Sequence, residues 1–315
     1  MIDEVKGNKN KKVDRKRRYP KTETLLAQTK GLLRRFDLRA RKGLGQHFLI
    51  DREVLRLIIS AADLTSSDVV MEIGPGLGVL TKELTRQAGR VVAIELDNKL
   101  AAILRDTMAS FNNVAIINED VLSIDPGGLL QEQKARLCPG MSSPFSYKVV
   151  ANLPYYITSP VLRHFLEAKE KPEIMVVMVQ KEVAEQIVAK SGRMSVLSIS
   201  VQLYGKPTII GHVPANCFYP APEVDSAIIR IALYPRPAVE IDDTEGFFAL
   251  VRAGFSASRK QIANSLAQGL GSPKAEVLPL LEKAAIAPQR RAETLTLEEW
   301  AHLYQIFAGA GKSAC

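Results

Sequence analysis

The sequence predicts an α/β fold in which a doubly wound, mostly parallel sheet is followed by a small all-helical domain. Short apolar runs alternate with amphipathic stretches from about residue 50 to 180, which is typical of β-α-β units. A glycine-rich turn follows the first of these apolar runs, where such sheets often let a ligand approach the backbone. Beyond a proline-rich join near residue 236, apolar residues recur with a helical period.

The predicted strands are short runs of apolar residues, the pattern of strands buried on both faces. They lie at 69–73, 90–95, 114–117, 148–151 and 174–179, with 208–213 and 227–233 closing the sheet. The predicted helices repeat apolar residues every three to four positions. They lie at 53–62, 79–87, 99–108 and 160–168, with a helical or mixed stretch at 182–201.

The join at 234–237, with sequence YPRP, marks a domain boundary because neither proline can continue a strand or a helix. A chain of 315 residues is long enough for a domain of about 200 residues and a smaller one. We therefore predict a sheet domain at 43–235 and a helical domain at 236–315, preceded by a basic arm at 1–42 that is partly flexible.

Positive charge is concentrated in this arm. Residues 1–42 hold 15 Lys and Arg against 5 Asp and Glu, whereas the rest of the chain carries a net charge of −2. Such a segment is attracted to polyanions through the release of counterions. A solubilising tail without a specific partner is the alternative.

Composition argues against several classes of protein. The three cysteines and four histidines are too scattered for a disulfide framework or a zinc site, so we expect reduced thiols and no metal. No apolar run approaches the roughly 18 residues of a membrane helix, and no apolar signal region follows the charged N-terminus. We expect a cytoplasmic protein.

The glycine-rich turn at 72–78, with sequence EIGPGLG, predicts a nucleoside site. Gly74 and Gly76 allow a ligand to approach the backbone. Val79 stands where the dinucleotide fingerprint needs its third glycine, so the spacing is more typical of an S-adenosylmethionine site than of an NAD site. A turn that only changes chain direction is the alternative.

Two acidic residues follow neighbouring predicted strands. Glu95 ends the second strand, where a carboxylate can accept hydrogen bonds from both ribose hydroxyls. Asp120 follows the third strand and could accept from the adenine amino group of the cofactor. Its alternative role is to cap the following helix.

The turn after the next strand contains Asn152, Leu153, Pro154 and Tyr155 and predicts methylation of an amino group on a nucleobase. Such an amine is a poor nucleophile until its nitrogen becomes pyramidal, which two acceptors promote: the Asn152 side-chain oxygen and the Leu153 carbonyl. Pro154 stiffens the turn, and Tyr155 offers a ring on which an extruded base can stack. No general base is required, because the amine becomes acidic only after methylation.

A second aromatic residue, Phe218, lies in the proline-rich loop 216–222. We predict that Tyr155 and Phe218 sandwich the target base. A core position for Phe218 is the alternative.

Five segments together resemble the ribosomal RNA adenine dimethyltransferases, in particular the KsgA-type dimethyladenosine transferases of the small ribosomal subunit. They are RKGLGQHFL at 41–49, EIGPG at 72–76, NLPY at 152–155, QKEV at 180–183 and FYPAPEVDS at 218–226. The resemblance covers about residues 30–308. It implies a Rossmann-like class I methyltransferase domain at 43–235 and an RNA-positioning domain at 236–315.

The resemblance also implies the reaction: two methyl groups are transferred from S-adenosylmethionine to N6 of each of two adjacent adenines near the 3′ end of small-subunit rRNA. The substrate would be a 30S-type pre-ribosomal particle late in assembly, and the enzyme a monomer. His47 and Leu49 would line the cofactor pocket with Gly74, Glu95, Asp120 and Asn152. The family often has Asn at the position of His47.

Apolar residues recur near helical spacing over 247–266, while Arg252, Arg259 and Lys260 project elsewhere. This pattern resembles the basic helix with which the family contacts rRNA. An ordinary solvated face is the alternative.

Four rival functions remain open at this level. Large-subunit rRNA adenine methylation of the resistance type uses similar motifs, and DNA adenine methyltransferases more commonly have Asp-Pro-Pro-Tyr. A non-catalytic assembly or nucleic-acid-binding factor is disfavoured by the intact Glu95, Asp120, Asn152 and Tyr155. A nicotinamide oxidoreductase is disfavoured by the spacing of the glycines.

Overall fold

The computed structural model of the chain describes residues 23–38, 40–41, 45–137 and 146–312. The strands are β1 Phe48–Leu49, β2 Val69–Ile73, β3 Arg90–Ile94, β4 Val114–Ile117, β5 Tyr147–Asn152, β6 Ile174–Gln180, β7 Gly205–Val213, β8 Phe218–Tyr219 and β9 Ser226–Leu233. The helices are α1 Leu25–Arg35, α2 Arg52–Ala62, α3 Val79–Gln87, α4 Asn98–Thr107, α5 Pro126–Leu137, α6 Thr158–Glu167, α7 Lys181–Ile187, α8 Val196–Tyr204, α9 Thr244–Phe255, α10 Ile262–Leu270, α11 Lys274–Lys283 and α12 Leu297–Lys312. Most of the 1–42 arm, residues 1–22, lies outside the described residues.

Seven strands form the central sheet, in the order β4-β3-β2-β5-β6-β9-β7. The first five in this order run parallel, whereas β9 is antiparallel to both of its neighbours. The predicted doubly wound, mostly parallel sheet is therefore confirmed. The strand order reverses between β2 and β5, and ligands bind at the carboxyl ends of strands at such a switch point.

Alternate side chains of the strands enter separate cores on the two faces of the sheet, because successive side chains of a strand point in opposite directions. Val70 and Val150 belong to the cluster that includes buried residues of α2 and α3. Met71 and Val149 belong to a larger cluster that includes residues of α6, α8 and the C-terminal helices. Helices thus cover both faces of the sheet.

Ten residues separate the last strand from the first C-terminal helix, and the C-terminal helices pack into the same cluster as the sheet. Phe247 on α9 and Trp300 on α12 are fully buried members of that cluster. Because the core is continuous between sheet and helices, the division at 235/236 stays a prediction.

Two helices were not predicted from the sequence. One is α1, within the basic arm, which buries Leu25, Thr29 and Leu33 one helical turn apart. Its many polar neighbours hide this narrow apolar stripe in the sequence. The other is α5, between β4 and β5.

The helical pattern predicted over 247–266 is divided between α9 and α10, and this corrects the expectation of one continuous helix. Phe255 and Ile262 are seven residues apart, which equals two helical turns, so the apolar period stays in phase across the break. Arg259 and Lys260 consequently lie in the connection between the helices.

In the part of the chain that the structure describes, no helix has both the length and the apolar composition to cross a membrane.

Candidate active site

A cavity opens at the carboxyl ends of β2, β3 and β5, on the side of the sheet where the strand order reverses. The predicted target turn 152–155 lines it. All seven predicted cofactor-binding residues also line it, namely His47, Leu49, Gly74, Gly76, Glu95, Asp120 and Asn152. The fold thus brings both predicted sites together, although the individual roles stay predictions.

The glycine turn adopts a backbone conformation that only glycine accepts without strain. Gly74, Gly76 and Gly78 have φ of 65°, 58° and 81°, in the left-handed region. A Cβ atom on Gly76 would lie 3.3 Å from the Phe48 ring, and one on Gly74 would lie 3.7 Å from Cδ of Pro154. The two turns are therefore direct neighbours.

Glu95 lies at the end of β3 with its carboxylate directed at the glycine turn. Oε2 accepts a hydrogen bond from the Gly76 amide at 3.0 Å, and Oε1 accepts one from the Asp97 amide at 2.9 Å. Burial raises the pKa of this carboxyl. Each carboxylate oxygen keeps a second acceptor position, so Glu95 can receive a pair of vicinal hydroxyls.

Asp120 has the capping role that the sequence left open, and its role with a ligand stays a prediction. Its Oδ1 accepts a hydrogen bond from the Leu122 amide at 3.0 Å and caps the short 3₁₀ helix Val121–Ser123. The residue also lines the cavity. A carboxylate has a second oxygen, so capping does not prevent Asp120 from accepting a hydrogen bond from a ligand.

The Asn152 side chain has a defined orientation at the end of β5. Its Nδ2 donates to the His47 carbonyl oxygen at 3.1 Å. Only the amide nitrogen can donate to a carbonyl, so Oδ1 must point away from His47. Leu153 extends the β5–β6 pairing into the turn, since its amide donates to the Met178 carbonyl at 3.2 Å.

Tyr155 is held from two sides. Its hydroxyl lies 2.7 Å from Oγ of Ser226, which is fully buried. The ring stacks against His47 at a centroid distance of 5.9 Å and an interplanar angle of 23°. His47 is itself fixed, because its Nδ1 donates to the Pro220 carbonyl oxygen at 2.8 Å.

Phe218 does not line the cavity in the described part of the chain. It belongs to β8, which pairs with β1, and its side chain is 3% exposed in the cluster that contains Leu49 and Val213. The structure therefore places Phe218 in the alternative, core position. Its sandwich with Tyr155 stays a prediction that requires this loop to rearrange.

The predicted RNA-binding residues are not among those that line the cavity. Arg252 on α9, and Arg259 and Lys260 in the connection to α10, are all exposed. Lys260 donates to Oε1 of Gln268 at 3.0 Å. Their role with RNA stays a prediction.

Glu72 is a buried acid of the cavity wall that the sequence analysis did not single out. Its side chain is 1% exposed, and Oε2 has no hydrogen-bond partner among the described residues. Burial raises the pKa of its carboxyl to about 8, and the charge of Glu95 adds to the rise. Its place at the start of the EIGPG motif could have indicated from the sequence that Glu72 belongs to the site.

Glu72 predicts a pH-dependent stability. Between its ordinary pKa of 4.5 and about 8, the folded protein retains a proton that the unfolded chain has released. The free energy of unfolding should therefore fall as the pH rises through this window. Glu72→Gln is neutral throughout, so its stability should decline less from about pH 5 to 8 than that of the wild type.

Urea unfolding followed by circular dichroism at both pH values measures this difference. Glu53→Gln, at an exposed position of α2, serves as the control and should follow the wild type. Parallel pH dependence in Glu72→Gln and the wild type would show that Glu72 does not titrate in this range.

Three exposed apolar side chains at the cavity were also missed. Leu96 follows Glu95, Leu122 is two residues beyond Asp120, and Tyr156 follows Tyr155. Their positions in the sequence, beside predicted ligand-binding residues, could have indicated that they line the cavity.

Comparison with known proteins gives one consistent family. Residues 37–308 match the family model described as ribosomal RNA adenine dimethylase. The chain is 52% identical over 287 residues to ribosomal RNA small subunit methyltransferase A of Dehalococcoides mccartyi. The aligned region covers 91% of this chain and 94% of the relative. The protein of that name from Pelotomaculum thermopropionicum is 44% identical, and the alignment covers 90% of this chain and 97% of the relative.

Two solved structures share the fold over most of the chain. A dimethyladenosine transferase from Plasmodium falciparum superposes with a TM-score of 0.69 at 25% identity, covering 84% of this chain and 98% of the other. The 23S rRNA methyltransferase ErmE superposes with a TM-score of 0.63 at 28% identity, covering 83% and 99%.

Proposed function

This chain belongs to the ribosomal RNA adenine dimethylase family, and we propose that it dimethylates N6 of two adjacent adenines near the 3′ end of small-subunit rRNA. It is an S-adenosylmethionine-dependent methyltransferase. The observation that carries the assignment is the Asn152 amide, whose oxygen is turned away from the His47 carbonyl beside the glycine turn.

The residues of the cavity fit the cofactor. The left-handed glycine turn leaves the backbone open to a ligand, and Glu95 presents two oxygens to ribose hydroxyls. S-adenosylmethionine, when bound there, supplies a methyl group on a positively charged sulfur. Asp120 and Leu49 also line the cavity.

The target turn supplies what an exocyclic amine lacks. Asn152 Oδ1 and the Leu153 carbonyl each accept one N–H, so the nitrogen lone pair leaves conjugation with the ring and becomes nucleophilic. Asn152 and Leu153 would hold this nitrogen towards the methyl group that S-adenosylmethionine supplies. Transfer would leave the sulfur as a neutral thioether, and the methylated nitrogen would lose its proton to solvent. Tyr155, whose hydroxyl contacts Ser226, stacks on the base and determines how deeply the base enters the cavity.

The rival activity, methylation of large-subunit rRNA, is disfavoured because this chain is less similar in sequence to an enzyme of that type than to its small-subunit relatives. The small-subunit relative shares 52% identity, whereas the 23S rRNA enzyme shares 28%. Primer extension on rRNA from a deletion strain separates the two. Dimethyladenosine that persists at the small-subunit site would reject our assignment.

The direct test is methyl transfer from labelled S-adenosylmethionine to undermethylated small subunits, followed by mapping of the modified nucleotides. We expect label in two adjacent adenines near the 3′ end. Binding of the particles without transfer would instead support a non-catalytic assembly factor.

The finer features of the assignment follow from the same proposal. The substrate is a 30S-type pre-ribosomal particle late in assembly, the enzyme acts as a monomer, and the reaction takes place in the cytoplasm. Arg252, Arg259 and Lys260 position the RNA, since all three are exposed cations of the C-terminal helices and their connection.

The basic arm provides a salt-dependent prediction. Residues 1–22 contain nine Lys and Arg against three acidic residues, and a cut there leaves α1 intact. Their deletion should weaken RNA binding mainly at low salt, reducing the slope of log affinity against log salt by about 0.7 to 0.9 for each phosphate that the arm neutralises. The kcat on saturating substrate should not change.

Fluorescence anisotropy at several salt concentrations measures this slope. A variant whose nine arm cations are replaced by Gln is the matched control and should behave like the deletion. A slope equal to that of the wild type would mean that the arm does not bind phosphates.

A further inference from the structure

The mouth of the cavity carries an exposed aromatic ring that the reaction described above does not use. Among the described residues, Tyr156 is the most exposed of the large apolar side chains, at 56%. It lines the cavity next to the target turn, whereas the exposed Leu96 and Leu122 lie beside Glu95 and Asp120. Ligand-binding clefts are lined mainly by apolar and aromatic side chains.

The backbone directs Tyr156 differently from Tyr155. Both residues belong to the short 3₁₀ helix Tyr155–Ile157, in which successive side chains diverge by about 120°. The Tyr155 hydroxyl reaches inward to the buried Ser226, and the ring of Tyr156 remains exposed at the rim. The two rings therefore face different surroundings, one inside the protein and one at the rim.

The ring of Tyr156 lies beside Gly45. A Cβ on Gly45 would lie 3.5 Å from Cδ1 of Tyr156, and Gly45 has a left-handed φ of 60°. Gly45 has no side chain, so none from this position covers the ring of Tyr156.

We propose that Tyr156 stacks on the base of the nucleotide adjacent to the extruded target adenine. This inference rests on the proposed function, because it requires an RNA strand whose target base occupies the cavity. Extrusion removes the stacking partner of the neighbouring base. An aromatic ring at the mouth restores that partner, and it holds the strand in register while Tyr155 and Asn152 act on the target.

Kinetics on undermethylated small subunits test this role. Tyr156→Ala should raise KM for the particles about tenfold, the low to middle range for loss of one base–aromatic stack. The kcat and the Kd for S-adenosylmethionine should stay within about threefold of wild type. Tyr156→Phe keeps the ring and should keep the wild-type KM. Tyr234→Ala, at an exposed tyrosine outside the cavity lining, should match the wild type.

A substrate-side deletion sharpens the test. Small subunits can be reconstituted with rRNA that lacks the base next to the target adenine. The missing base should raise KM for the wild type but not further for Tyr156→Ala, because both changes remove the same stack.

Three results would overturn the inference. A Kd for S-adenosylmethionine that rises as much as KM would make Tyr156 a cofactor contact. An unchanged KM in Tyr156→Ala would remove its role, and a Phe variant as impaired as the Ala variant would point to the hydroxyl. If the wild type itself transfers no methyl to the particles, the proposed function fails first, and this result is visible before any variant is compared.

Discussion

Asn152→Ala is expected to lower kcat by about 10² to 10³, the usual loss when one preorganised group that acts in the transition state is removed. The Asn152 oxygen accepts an N–H of the target amine most strongly as its nitrogen becomes pyramidal. RNA affinity should change little, because the interaction is concentrated in the transition state. Cofactor affinity should weaken by at most about tenfold, the cost of one neutral hydrogen bond.

Single-turnover kinetics with saturating RNA and cofactor measure this loss. Asn113→Ala is the matched control, because the Asn113 amide likewise donates to backbone carbonyls, at 2.9 and 3.2 Å, but lies outside the cavity lining. It should lower stability and leave kcat unchanged. Equal losses of kcat and RNA affinity in Asn152→Ala would mean that Asn152 only binds substrate.

Glu95→Ala should weaken S-adenosylmethionine binding about 10²-fold. The change removes a charged acceptor for two ribose hydroxyls, and hydrogen bonds to charged groups contribute about 1.5 to 3 kcal/mol each. It also frees the Gly76 amide, which the carboxylate holds at 3.0 Å. At saturating cofactor, kcat should recover to within about tenfold of wild type, because the ribose is remote from the reacting methyl.

Isothermal titration calorimetry with S-adenosylmethionine measures the Kd directly. Glu95→Gln keeps one oxygen acceptor without the charge, so its Kd should fall between those of the wild type and Glu95→Ala. A Glu95→Ala variant that binds the cofactor as tightly as the wild type would remove Glu95 from the cofactor site.

The spacing of glycines and strands was sufficient to predict which residues meet at the cavity. Gly74, Glu95, Asp120 and Asn152 each follow a strand whose apolar run is visible in the sequence. The carboxyl ends of parallel strands meet at one edge of the sheet, so these residues converge without further information. The bounds of a helix or strand also depend on the local pattern of residues, which is why the predicted bounds of α3 and β4 agree with the observed ones.

Contacts between distant segments could not be predicted in this way. The pairing of β1 with β8 brings His47 to the Pro220 carbonyl and keeps Phe218 in the core. Sequence patterns report the period of one segment at a time and not the register between two segments, so Phe218 was compatible with either position.

The sequence by itself determined the fold class, the glycine turn and the residue types of the target turn, because these depend on local periodicity and on which backbone conformations each residue accepts. Only the tertiary structure decided the orientation of the Asn152 amide, the burial that raises the pKa of Glu72 and the exposure of Tyr156. Each of these depends on desolvation or on a partner far along the chain, and such properties exist only once the chain is packed.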